Sequence, residues 1–145
     1  MATGKIISDI DFDAESQKNE WLDHLFELVR NVQKWAVTAG WRTRQVEKTL
    51  TERRLGSYKV PVLLMEKNTI EIVLNPVARF VPGADGAVDL YVAPAYDDIA
   101  SLYLVNGKWV LHYSPSFDKR LSLIESCDCT EQVIRSVLDA MTTNG

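Results

Sequence analysis

Between Glu20 and Ala39, residues Trp21, Leu25, Leu28, Val32, Trp35 and Ala39 recur at steps of three and four, and Leu22, Phe26, Val29 and Ala36 widen the stripe. That spacing predicts a helix whose broad apolar face lies against a core. Ser16 is placed to cap its start, and Gly40 to end it in the left-handed conformation. Residues 1 to 14 keep no period and read as a flexible lead-in, or as one short strand about Ile6 and Ile7. Near the other end, Val133, Ile134, Val137, Leu138 and Met141 share one side of a second, shorter helix over Glu131 to Met141, with Asp128 and Glu131 spaced as a capping box.

The stretch between the helices changes period. Tyr58 to Glu66, Thr69 to Val81, Ala87 to Pro94, Ile99 to Val105 and Lys108 to Ser114 are rich in Val, Ile, Leu and Tyr and are separated by turn formers, which predicts strands. Residues 41 to 57 alternate basic with other residues and lean towards a further strand, although helix or loop fits them too. Asn106-Gly107 is a strong two-residue hairpin signal, because both positions require positive φ. Lys67-Asn68 is a weaker one, and Pro82 to Gly86 reads as a five-residue hairpin loop. The expected fold is therefore α+β: one domain over 1–145, a curved antiparallel β-meander of about five strands, with a long N-terminal helix and a short C-terminal helix packed on it.

The turns set registers. About Asn106-Gly107, Leu104 falls opposite Trp109, Leu102 opposite Leu111 and Ala100 opposite Tyr113 on a core face, while Tyr103 meets Val110 and Ser101 meets His112 behind it. About Pro82 to Gly86, Phe80 falls opposite Val88 and Ala78 opposite Leu90, which puts Arg79 opposite Asp89 and Val77 opposite Tyr91 on the reverse face. In the first hairpin, Leu63, Met65, Ile70 and Ile72 take the core face, while Val62, Leu64 and Val73 lie behind. A reverse face carrying Arg79, Asp89, Tyr91, Tyr103 and His112 is mixed rather than simply wet, and these five are the candidate partner-binding residues. An Arg79–Asp89 cross-strand ion pair explains two of them without any partner.

Charge narrows the function classes. The 145 residues hold 16 Lys and Arg against 20 Asp and Glu, a net charge of −4, so the whole-molecule field repels phosphate backbones. Locally the sign reverses: between Arg42 and Lys59, Arg42, Arg44, Lys48, Arg53, Arg54 and Lys59 face only Glu47 and Glu52. With Trp41 and Tyr58 at its ends, that 42–59 stretch is the candidate for stacking and holding single-stranded nucleic acid, Arg42, Arg44 and Arg53 being its principal cations. An edge strand guarded by like charges accounts for the same residues.

Little else in the chain points to catalysis. Neither a nucleophile elbow nor a phosphate loop occurs. Cys127 and Cys129 are too closely spaced for an easy intrachain disulfide and read as reduced thiols. A zinc site would need them to converge with both histidines, His24 and His112. No resident metal or cofactor is expected. Asp85, Asp89, Asp97 and Asp98 are the best acidic cluster, and Asp89 with Glu71 or Asp97 could serve a metal-dependent hydrolase or nuclease-like enzyme, but the Glu-x-Lys strand of such nucleases is missing. The start of the chain lacks signal-peptide character, and no apolar run approaches the ~20 residues that span a bilayer; a cytoplasmic address without membrane contact is expected. The expected function is a non-enzymatic protein-interaction or accessory module that docks a protein partner, or a second copy as a dimer, on the mixed sheet face.

Overall fold

The computed structural model describes residues 2–95, 97–113 and 126–144. In chain order the elements are α1 (Ala2–Thr38), β1 (Arg42–Glu52), β2 (Gly56–Lys67), β3 (Ile70–Ala78), β4 (Ala87–Ala93), β5 (Asp97–Val105), β6 (Lys108–Tyr113), β7 (Cys127–Asp128) and α2 (Glu131–Asn144). The strands form one antiparallel sheet whose spatial order repeats the chain order from β1 to β7. The α+β meander is thus as expected, with seven strands instead of about five. The 42–52 segment is a full strand, and Cys127–Asp128 adds a short one against Val110 and Leu111. No helix among the described residues is long and apolar enough to cross a membrane.

Both helices pack on one side of the sheet. Trp21, Leu25, Leu28, Val32 and Ala36 of α1 are buried with Ile134, Val137, Leu138 and Met141 of α2. From the sheet, Leu63, Met65, Ile72, Leu74, Val88, Leu90, Leu102 and Leu111 join the same cluster. Each such large apolar side chain contributes roughly 1.5–3 kcal/mol on burial, so this face holds the layers together. α1 is also tied to the β1 edge through Gln33, which donates to Thr43 Oγ1 at 3.0 Å and accepts from Gln45 Nε2 at 2.8 Å.

The helix ends show which sequence signals governed them. Gly40, at φ 93°, closes α1: its N–H donates to the Val37 carbonyl at 3.0 Å, and the Trp41 N–H reaches the Ala36 carbonyl at 2.9 Å. This is the paired bonding of a glycine-terminated helix. Lys67 Nζ donates to the Ala39 carbonyl at 3.0 Å, placing a cation at the negative end of the helix dipole. The start differs from expectation. The backbone is helical from Ala2, so Ser16 lies inside α1 rather than at its cap, and residues 2–14 continue the helix where a lead-in or strand was expected. At α2 the cap is Thr130, whose Oγ1 accepts the Val133 N–H at 3.3 Å; Asp128 belongs to β7 and does not form the expected capping box.

The β5–β6 hairpin has the expected register, with Leu104 opposite Trp109, Leu102 opposite Leu111 and Ser101 opposite His112 about Asn106 and Gly107, both at positive φ. Two other turns lie elsewhere than expected. The β2–β3 turn is Asn68-Thr69, because Thr69 takes φ 71°, a conformation that β-branched residues seldom enter. β3 and β4 pair Leu74 with Leu90 and Asn75 with Asp89, so the register is displaced by four residues from the expected Ala78–Leu90 pairing.

The cause of the larger displacement is a side chain from a distant strand. The Glu52 carboxylate accepts the backbone N–H groups of Arg79 (3.0 and 3.1 Å) and Phe80 (3.1 Å), consecutive donors of which a continued strand would have turned only one towards β4. β3 therefore stops at Ala78, and Arg79 to Gly86 form the connection, closed by a Val81–Ala84 bridge. A displacement of four preserves parity, so Val88 and Leu90 keep their core positions while Phe80 becomes partly exposed.

Candidate docking face

Behind the core face, the register places side chains in rows running across the strands. Asn75 of β3 lies opposite Asp89 of β4, Asp89 opposite Ser101 of β5, and Ser101 opposite His112 of β6. Directly opposed side chains stand close enough to interact, which makes these four a continuous polar line over four strands. Lys48 of β1 extends it, because its Nζ reaches across β2 to donate to Asn75 Oδ1 at 2.6 Å. Burial lowers the Lys48 pKa below the usual lysine range, and the negative charge of Asp89 partly opposes that shift.

Aromatic and apolar groups flank the line. Tyr103 and His112 stack edge to face, with ring centroids 5.2 Å apart and planes at 85°. Tyr103 is half-buried and His112 exposed, so the imidazole lies outside the interior packing. Tyr91 stands opposite Val73, with both residues on this side of the sheet. Along β5 the outward positions are Ile99, Ser101, Tyr103 and Val105, of which Ile99 is 41% and Val105 37% exposed, whereas the alternate residues Ala100, Leu102 and Leu104 are at most 3% exposed.

Arg79 does not belong to this face. It sits in the β3–β4 connection, its guanidinium 4.9 Å from the Phe80 ring centroid, and the expected ion pair with Asp89 does not form. Asp89 has Asn75 and Ser101 as its cross-strand neighbours instead. From the sequence, Lys48 counted only among the cations of the 42–59 stretch, and Asn75 was not singled out. A lone amide within the run Ile70–Ala78 was the available signal, but only the true register shows what it faces.

The other sequence candidates are dispersed. Glu71 lies opposite Ala93, four residues along β3 from the Asn75–Asp89 pair, or about 13 Å at the strand rise, so register separates the two carboxylates of the hydrolase reading. The Asp97 side chain lies outside the described residues. Among the described residues no three His, Cys, Asp or Glu side chains gather as metal ligands. On β1, Arg42 forms an ion pair with Glu66, while Arg44 and, in the following turn, Arg53 are exposed. Trp41 is 3% and Tyr58 7% exposed, so neither ring is available for the base stacking considered above.

Comparison of the chain with protein-family models, with curated proteins and with solved structures finds no match.

Proposed function

We propose that this chain is a non-enzymatic docking module that receives a protein partner on the sheet face opposite its helices. The observation carrying this reading is the outward row of β5: Ile99 and Val105 remain exposed beside the Tyr103–His112 pair, while both described helices pack on the other side. Aromatic groups interleaved with apolar and hydrogen-bonding ones suit the centre of a protein interface. The polar line from Lys48 to His112 supplies directional contacts that fix how the partner sits. A catalytic reading finds less support, because register puts Glu71 far from Asp89.

The test is quantitative affinity capture from the source cell with three baits: the intact chain, an Ile99→Asp/Val105→Asp variant, and a Phe26→Ser/Val37→Ser variant altered on exposed positions of α1. The reading expects a partner, or a second copy of the chain, that the intact and α1-altered baits retain and the β5-altered bait loses at least tenfold. Retention by all three baits, or by none, would overturn it.

A further inference from the structure

We propose that the cleft between α1 and the β6–β7 edge binds a small organic cation of the quaternary ammonium class. The cleft has a volume of about 320 Å³, at the lower end of small-molecule sites. Three parts of the chain build it. Glu27, Leu28, Asn31 and Trp35 contribute one stripe of α1, Gly107 comes from the β5–β6 turn with Lys108 and Trp109 after it, and Asp128 and Cys129 come from the β7 edge.

Its position is fixed by the fold. The Cys129 N–H donates to the Trp109 carbonyl at 3.1 Å, locking the β7 segment to β6, and the Trp109 ring lies 6.1 Å from that of Trp21 in the core. Trp35 and Trp109 are both half-buried against the core cluster, so each indole is held while part of it remains on the cleft wall.

Two independent features select the same ligand chemistry. Indole faces attract cations through the ring quadrupole, and Trp does so more strongly than the other aromatic residues. The charged lining, Glu27 and Asp128 against Lys108, leaves one net negative charge around the cleft. A neutral ligand would gain only from the apolar wall, and an anion would meet two carboxylates. A trimethylammonium group gains from both the indoles and the carboxylates, and it carries no N–H donor that needs a buried acceptor.

The experiment titrates the full chain with choline chloride, and separately with 3,3-dimethylbutan-1-ol, which has the same shape without the charge, while following the indole N–H resonances. Expected is saturable perturbation confined to the Trp35 and Trp109 signals, with choline binding at least tenfold more tightly than the alcohol. Asp128→Asn, a conservative change at an exposed position, is expected to weaken choline at least threefold without moving the alcohol, and Trp109→Leu to abolish both. Equal affinities for choline and the alcohol would overturn the proposal, as would perturbation centred on Trp21 or Trp41, or a choline response unchanged in Asp128→Asn. The cleft is distinct from the β5 face, so its failure leaves the docking reading standing.

Discussion

The indole Nε1 of Trp21 donates to the phenol oxygen of Tyr58 at 3.1 Å, joining α1 to β2 across 37 residues of chain. Tyr58 in turn donates to the Glu52 carboxylate, which also holds the Arg79 and Phe80 backbone. One phenol therefore couples the helix, the β1–β2 hairpin and the β3–β4 connection. Removing it in Tyr58→Phe leaves a buried indole N–H unpaired, and such a loss costs about 1–3 kcal/mol. Urea denaturation should show that decrease with an unchanged dependence on urea concentration. A Trp21→Phe/Tyr58→Phe double variant should lose less than the sum of the single changes, since the two residues share one bond. Full additivity would show that the bond contributes nothing.

Gly86 is required by the same corner. A β-carbon built there would lie 2.1 Å from Trp21 Cζ3, well inside contact distance, and the indole it meets is 1% exposed. The backbone cannot easily retreat, because the Asp85 N–H donates to the Leu104 carbonyl at 2.7 Å and the Gly86 carbonyl accepts the Leu104 N–H at 3.0 Å. Gly86→Ala is expected to cost about 2–3 kcal/mol by overpacking. The same change made in a Trp21→Leu background should cost markedly less. Chemical denaturation of the four proteins checks both statements.

How far the fold was legible follows from what fixes each part. The Asn106-Gly107 register is set by two adjacent residues that accept positive φ, and those are visible in any sequence. The β3–β4 register is set by Glu52 capturing two N–H groups some 27 residues downstream, a long-range bond that no local pattern announces. Thr69 hid the β2–β3 turn in a similar way, since its φ of 71° runs against its residue type. Val88, Leu90, Asp89 and Tyr91 keep their expected faces because each displacement was by an even number of residues, whereas the bulge between Pro76 and Ala78 sets Ala78 opposite Ala87, and Arg79 and Phe80 leave the sheet. The candidate face was accordingly half legible: Tyr103 and His112 follow the readable turn and Asp89 keeps its face by parity, whereas the Asn75–Asp89 pairing and the Lys48–Asn75 bond follow no local pattern.

Thr130 provides a local test of the C-terminal helix. Its hydroxyl accepts the Val133 N–H at 3.3 Å and its carbonyl accepts the Ile134 N–H at 3.0 Å, so it is the residue that starts α2. Thr130→Ala removes the hydroxyl bond alone and is expected to cost about 1 kcal/mol. Asp128→Ala, altering the residue expected from sequence to cap the helix, should leave stability within about 0.5 kcal/mol because its position is exposed. Thermal unfolding of the pair distinguishes the two assignments; a larger loss in Asp128→Ala would reverse them.

Cys129 gives the chain an alkaline signature. Burial against the core pushes its thiol up from 9.0 to about 12, with Cys127 adding to the shift. A raised folded value means that the folded chain holds a proton which the unfolded chain has released. The corresponding stability is fully present below pH 9 and is lost as pH rises towards 12, at no more than about 1.4 kcal/mol per pH unit. Lys48 acts in the opposite sense: its lowered pKa makes stability rise with pH as the ammonium deprotonates in the folded state first. The Cys129 part is isolated by subtracting the urea stability of Cys129→Ala from that of the intact chain at pH 8 and pH 10. The difference should shrink at the higher pH, and a difference independent of pH would show that the thiol titrates alike in both states. Because the thiolate is the reactive form, iodoacetamide at pH 8 should also label Cys129 at least about tenfold more slowly in the folded chain than in urea.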